Sequence, residues 1–232
     1  MEEFPPECQL KAKEQKRYHD SDVEKLTRRF LFPLGLALSR DIITVKEALT
    51  EKEVDQVHRL NHDVYVNEGY AHPRHDGRLN LYPLYENLPE TYVLIAKNKE
   101  GKIVGTNSIT FDSEYLLPLD MDFPDEMKQI REQHSSKICA ANWRLVTDPK
   151  CREKIMTIRR LFESTLDYAI LFSEMIVCNV NPTHEKFYKR MFNFETVAKK
   201  DAISLVNDAP AVMIKVPTDV AYNTYYKKQG NK

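Results

Sequence analysis

Between Ile138 and Phe194 the sequence leaves little freedom in the choice of fold. Ile138 to Val146 is a β-rich run that Asp148 and Pro149 stop. Ile155, Ile158, Phe162, Thr165, Leu166 and Ala169 then recur at the spacing of one helix face. Glu174 to Val180 reads as a buried strand and Pro182 breaks it. His184 to Met191 is short, mixed polar and apolar, and helical, before Phe194 opens further β structure. Strand, tight loop, helix, strand, short helix is a mixed α/β order, which Ile203–Val206 and Ala211–Val216 complete with two last strands.

Upstream, Ser21 and Glu24 stand at capping-box spacing ahead of Val23, Leu26 and Phe30, predicting a short helix over 21–31 that Pro33 and Gly35 end. Asp41 to Lys46 reads as a strand. Thr50 and Glu53 repeat the capping signal before Val54, Val57, Leu60, Val64 and Tyr65, a helix of about four turns. From Asn67 to Pro89 the periodicity vanishes while Gly, Pro, His and Tyr accumulate. A compact domain seldom keeps so long a loop without a use. Tyr92–Ala96 and Ile103–Phe111 form a hairpin across Asn98–Gly101. Asp112 to Glu126 carries six acidic residues and no basic one, an insertion that passes at Pro124 into a short helix ending near His134.

Charge and cysteine usage exclude several functions. With 34 basic and 35 acidic side chains the net charge is -1, so no global field favours nucleic acid. Cys8, Cys139, Cys151 and Cys178 lack metal-binding spacing, and no metal site is expected. Met1 to Gln9 has three Glu and two Pro without an apolar core, and no later stretch approaches the ~18 apolar residues of a membrane span. The expected location is the cytoplasm.

The second half resembles the Gcn5-related (GNAT) acyltransferase family. The run Asn181-Pro182-Thr183-His184-Glu185-Lys186-Phe187-Tyr188-Lys189-Arg190, followed by Phe192-Asn193-Phe194, is similar to that family's Asn-Pro, Phe-Tyr, Gly-Phe ending, where a strand end and a short helix close over a pantetheine arm. Asn193 replaces the usual Gly, and Asn also tolerates positive φ. Val64-Tyr65-Val66-Asn67-Glu68-Gly69-Tyr70, Trp143-Arg144-Leu145-Val146-Thr147-Asp148 and Leu116-Leu117-Pro118-Leu119 narrow the resemblance to the autoinducer-synthase-like branch, in particular to long-chain N-acyl amino acid synthases of the FeeM type. It covers roughly residues 42 to 216. The fold it implies is α/β (α+β), a central mixed, mostly antiparallel twisted sheet flanked by helices. That domain would occupy 41–217, between an N-terminal helical extension over 1–40 and a partly mobile C-terminal tail over 218–232.

The activity implied is N-acyl transfer, by direct attack, of a medium or long acyl chain from a pantetheine thioester to the amine of an amino acid or related small molecule. No permanently bound cofactor is implied. CoA-dependent members carry a Gly-rich loop that cradles a pyrophosphate at a helix N-terminus. The matching Asp148-Pro149-Lys150-Cys151-Arg152-Glu153-Lys154 has no Gly, which favours acyl carrier protein over acyl-CoA as donor. A peripheral contact with the membrane receiving a lipid product would accompany a long chain. A CoA-dependent N-acetyltransferase and a non-catalytic acyl-carrier-binding or regulatory module remain as alternatives. Homoserine-lactone synthases carry a Glu three residues before the Arg that matches Arg144. Ala141 stands there in this chain, which argues against S-adenosylmethionine as acceptor source and leaves the general base without a motif.

Most candidate residues have a functional reading and a plainer one beside it. Tyr188 matches the family position that protonates the leaving sulfur, and it also suits core packing. His184 is a base or a helix-start residue, and Glu68 is a base, an ammonium ligand or a solvated loop carboxylate. Arg144 pairs with an acid from the 67–90 loop or clamps an acceptor carboxylate. Trp143 and Tyr70 line an acyl tunnel or belong to the core, and Asn142 and Asn181 join them as candidate substrate-binding residues. Lys150, Arg152 and Lys154, with Arg159 and Arg160, form a carrier- and phosphopantetheine-binding patch or a solvated basic face.

Overall fold

The computed structural model describes residues 42–134 and 138–230; the expected helix over 21–31 and the extension over 1–40 lie outside them. In chain order the elements are β1 (Ile43–Glu47), α1 (Glu51–Asn67), α2 (Pro83–Glu86), β2 (Thr91–Asn98), β3 (Ile103–Phe111), a 3₁₀ turn at Pro118–Met121, α3 (Pro124–His134), β4 (Ile138–Ala141), β5 (Val146–Thr147), α4 (Lys154–Phe172), β6 (Met175–Val180), α5 (Glu185–Phe192), β7 (Glu195–Ile203), β8 (Ala209–Pro217) and α6 (Thr218–Gly230). One sheet carries the strands in the order β1-β2-β3-β4-β6-β8-β7, with β5 also against β3. Every pair is antiparallel except β4 with β6. This is the mixed, mostly antiparallel sheet that the resemblance implies.

Alternation along the strands sorts the core into two layers. On one face Val93 and Ile95 meet Val57 of α1, while Met175, Val177, Ala211 and Met213 pack beneath α2, the 3₁₀ turn and α3. On the other, Leu94 and Ala96 meet Leu161 of α4, and Ile176, Cys178, Val212 and Ile214 lie under α4, α5 and α6. Thr50 caps α1 by accepting from the Glu53 amide at 3.2 Å. The reciprocal half of the capping box is not made, because Glu53 accepts instead from the Leu49 amide and pairs with Lys46 and Lys97. Helix α1 is thereby tied to β1 and β2, and at 17 residues it runs longer than four turns.

Four expectations need correction. The run Ile138–Val146 is not one strand. It breaks at Asn142, which takes φ 60°, and Leu145 N–H turns back to the Asn142 carbonyl. Ile155 is 86% exposed, and Thr157 takes the inward position. The reason is close approach of α4 to Gly105 of β3, where an added Cβ would lie 2.6 Å from Thr157 Cγ2. A side chain at position 105 would clash with the helix, so this contact requires glycine there. Ser204–Val206 is a 3₁₀ turn, and Asn207 and Asp208, both at positive φ, redirect the chain into β8. Finally, the tail from Thr218 to Gly230 is helix α6, packed on α4 and α5. Tyr225 is 2% exposed, stacks on Phe192 at 5.3 Å and donates to Glu163.

Candidate active site

The β4–β6 register ends at Ala140–Val177, and β6 continues along β8 to Val180 while the β4 chain turns away at Asn142. The parallel pair therefore opens into a split. Asn142 is anchored there: its Oδ1 accepts from Asn107 Nδ2 at 2.6 Å, its Nδ2 lies 3.7 Å from Cys178 Sγ, and Asn107 also donates to Thr165 Oγ1. On the α1 side the split gives onto a cleft of about 120 Å³. Trp143 and Asn179–Asn181 form its sheet side, Tyr65, Tyr70, Leu81 and Tyr82 come from α1 and the long loop, Pro118, Leu119 and Asp122 from the acidic insertion, and Ile203, Val206 and Ala209–Ala211 from the β7–β8 turn. Asn181 Nδ2 donates to the Tyr70 hydroxyl at 3.1 Å while its Oδ1 caps the Pro182–His184 turn through Thr183. Tyr70 packs edge-on against Tyr65, and Trp143, whose Nε1 donates to Thr110, packs edge-on against Tyr82.

Beneath this cleft lies a buried ionic network. Arg144 is 1% exposed, and its Nη1 donates to Glu86 Oε2 at 3.0 Å, its Nε donates to Ser108 Oγ, and its guanidinium lies 4.4 Å from the Trp143 ring centre. Glu86 is also met by His58 Nε2 at 2.9 Å and by Asn80 Nδ2. Burial alone would raise the Glu86 carboxyl, but His58 and Arg144 outweigh it and hold it at about 2. The salt bridge with an acid from the 67–90 loop is thus formed, and the guanidinium is committed to Glu86. Nη2 has no hydrogen-bond partner among the described residues, and Arg144 is not part of the cleft wall.

The cleft holds a carboxylate that sequence reasoning did not single out. Asp122 follows the 3₁₀ turn and accepts from Asn179 Nδ2 at 3.2 Å. Burial raises its carboxyl above the usual range, with Lys200 and Asn179 pulling it the other way. Arg131 of α3 explains why this acid is set apart: it binds Asp112 at 2.7 Å and Asp120 at 2.5 Å, spending two of the insertion's acids on holding the insertion in shape. Facing Asp122, burial pushes the Tyr82 hydroxyl well up, Asp122 adding to it, and pushes Tyr65 up to about 12. Both phenols stay neutral donors at neutral pH.

The remaining candidates lie elsewhere. Tyr188 is buried on the α4–α5 side of the sheet against Phe162, Phe192 and Phe194, its hydroxyl pushed well above 10 by burial and by Cys178. Its link to the split is Cys178, which acts on its hydroxyl and whose sulfur lies 3.7 Å from Asn142 Nδ2. Glu68 is an exposed residue capping the C-terminus of α1 ahead of Gly69 at φ 77°, and His184 is exposed at the start of α5; neither lines the cleft. Lys150, Arg152 and Lys154 are exposed around the start of α4, beside exposed Ile155 and Met156. Asp148 organises that loop, accepting from the Lys150 amide at 2.9 Å and pairing with Lys102. Tyr70, Trp143 and Asn181 are therefore brought together, Asn142 borders them at the split, and Arg144 lies beneath. No cluster among the described residues is arranged to hold a metal, and none of their helices is long and apolar enough to cross a membrane.

The profile of the FeeM N-acyl amino acid synthases matches residues 56–217, well over half of the chain. The chain belongs to that family. It is an N-acyltransferase of the GNAT fold. The solved structure of FeeM, an N-acyl amino acid synthase from uncultured soil microbes, superposes with a TM-score of 0.65 at 20% identity, covering 76% of this chain and 91% of that one. The acyl-homoserine-lactone synthase LasI gives 0.60 at 13% identity over 80% and 94% of the two chains. TofI, in a ternary complex with an inhibitor and MTA, gives 0.58 at 12% over 80% and 96%. At these identities the structures share the fold. No curated protein sequence matches significantly.

Proposed function

We propose that this chain transfers a medium or long acyl group from the pantetheine thioester of an acyl carrier protein to the amine of a small acceptor, by direct attack. The observation that carries the reading is the split between β4 and β6, which opens on the cleft of Tyr65, Tyr70, Trp143, Asn181 and Asp122. An extended pantetheine can add to the freed edge of β6 by strand-like hydrogen bonding and present its thioester at the mouth of the cleft. The Gly-free loop at Asp148–Lys154 supports a carrier donor, since it offers no amide nest for a pyrophosphate. Lys150, Arg152 and Lys154, flanking exposed Ile155 and Met156, suit an acidic carrier surface with an apolar centre.

The chemistry asks little of covalent catalysis. An alkylammonium of pKa about 10.4 is free base in roughly one molecule in 10³ at pH 7, so deprotonation accounts for about 4–5 kcal/mol of the barrier. A carboxylate against the acceptor nitrogen meets that need. The departing thiolate, with a parent pKa near 8.5, is served by a neutral hydroxyl, and Tyr188, beside Cys178 on the other face of the sheet, is in that form. Lipids extracted from cells expressing the chain should contain N-acyl amines that are absent from cells with an empty vector. Identical lipid profiles would overturn the reading.

A further inference from the structure

Lys200 of β7 stands beside the cleft, on the cleft's face of the sheet. It pairs with Ala211 across the β7–β8 ladder, and residues paired in this way point to one face with their Cβ atoms about 5 Å apart. Ala211 lines the cleft. The Lys200 stem thus rises next to the cleft wall, and its Nζ lies 5.3 Å from the ring centre of Phe123, the residue that follows Asp122. From there its charge acts on Asp122, pulling the carboxyl down against the burial that raises it. Asp122 lines the cleft and accepts from Asn179 Nδ2 at 3.2 Å. Asn179 pairs with Met213, two residues along β8 from Ala211, so it faces the same side. An anion from the insertion and a cation from β7 therefore flank one stretch of the cleft wall.

We infer that Lys200 and Asp122 form a two-point clamp for an α-amino acid acceptor, Lys200 recognising its carboxylate and Asp122 its ammonium. This rests on the acyltransferase reading above and specifies which residues select the acceptor. Both charged groups of an α-amino acid hang on one carbon. An ammonium seated at Asp122 therefore leaves the carboxylate within reach of Lys200, whose four-carbon stem is flexible and whose three donors rotate. Tyr65, Tyr70, Tyr82 and Trp143 offer aromatic surface to the acceptor's side chain. Asn179 holds Asp122 through one oxygen, and the raised carboxyl is a stronger base than a solvated one. In the step, Asp122 takes one proton from the ammonium and the nitrogen lone pair attacks the thioester carbon. The C–N bond forms as the carbonyl electrons move to oxygen. Their return breaks the C–S bond, the second nitrogen proton passes to the departing sulfur, and Asp122 releases its proton to water. The products are the N-acyl amino acid and the free pantetheine thiol. Lys200 stays charged throughout and takes no proton, so it acts on binding and Asp122 acts on both binding and rate.

Phenylalanine and phenethylamine, which differ by the carboxylate, are the probes, titrated calorimetrically into the wild type, Lys200→Met, Lys200→Arg and Asp122→Asn. The wild type should bind phenylalanine about tenfold or more tighter than phenethylamine. Lys200→Met should bring that ratio to about one, Lys200→Arg should restore most of it, and Asp122→Asn should weaken both probes about tenfold or more. With a carrier-bound dodecanoyl donor, Lys200→Met should raise KM for phenylalanine about tenfold at little changed kcat, whereas Asp122→Asn should lower kcat by about 10²-fold. Equal binding of the two probes by the wild type, or binding of neither, would overturn the clamp, as would a Lys200→Met protein that keeps the preference. Binding of phenylalanine that depends on both residues, with no amide formed from any thioester, would leave the clamp standing and defeat the acyltransferase reading. Amide formation indifferent to both substitutions would do the reverse.

Discussion

Glu86→Gln should flatten the acid branch of the stability curve. The side chain is nearly buried, and His58 and Arg144 hold its folded pKa at about 2 against 4.5 for the free group. A folded pKa below the unfolded one means that the ionised carboxylate contributes fully above about pH 4.5 and that this contribution is lost as the pH falls towards 2. A gap of that size corresponds to about 3 kcal/mol at pH 7, of which about 2 kcal/mol is gone by pH 3. Glu86→Gln leaves Arg144 buried without its counter-ion, so at pH 7 it should cost about 3 kcal/mol or more. At pH 3 the penalty relative to wild type should shrink by about 2 kcal/mol. Urea unfolding of both proteins, at several pH values from 7 to 3, measures the difference directly. A penalty that stays constant across this range would refute the network as a source of stability, and with it the claim that Arg144 is occupied by Glu86.

Tyr188→Phe keeps the ring and its packing against Phe162 and Phe192, so a proton-donating role predicts a fall in single-turnover rate of roughly 10²-fold with the melting temperature little changed. Near-normal turnover would confine Tyr188 to the core. Charge reversal at Lys150, Arg152 and Lys154 should slow association with the carrier, and the loss should grow as salt is lowered. Stopped-flow association rates at two ionic strengths check this, and an equal loss at both would remove the patch from the carrier interface.

Much of the architecture was legible because it is written in local signals. Thr50 and Glu53 announce α1, Gly101 the hairpin and Pro182 the end of β6, and each structure follows from backbone chemistry within a few residues. The errors arise where tertiary contacts overrule the local pattern. Ile155 continues the apolar period of α4, yet Gly105 brings β3 so close that Thr157 takes the inward place. Tyr222, Tyr225 and Tyr226 give α6 no clean apolar stripe, and its position depends on Phe192, Glu163 and Asp167 from distant segments. The same limit governs the site. Tyr70, Trp143 and Asn181 are found by motif, but Asp122 lies in a run of six acids that look alike in sequence. Only the pairing of Arg131 with Asp112 and Asp120, and the approach of Asn179, distinguish it. Glu68 and His184 have suggestive chemistry and lie close in sequence to the cleft residues Tyr70 and Asn181, yet the chain directs both to solvent.

Donor competition tests the central claim most directly. The purified protein is given a dodecanoyl thioester on acyl carrier protein and the same thioester on CoA, with one amine acceptor, and amide formation is followed by mass spectrometry. Carrier-bound dodecanoyl should yield amide at a higher kcat/KM than dodecanoyl-CoA. Faster turnover of the CoA thioester, or no amide from the carrier thioester, would contradict the account.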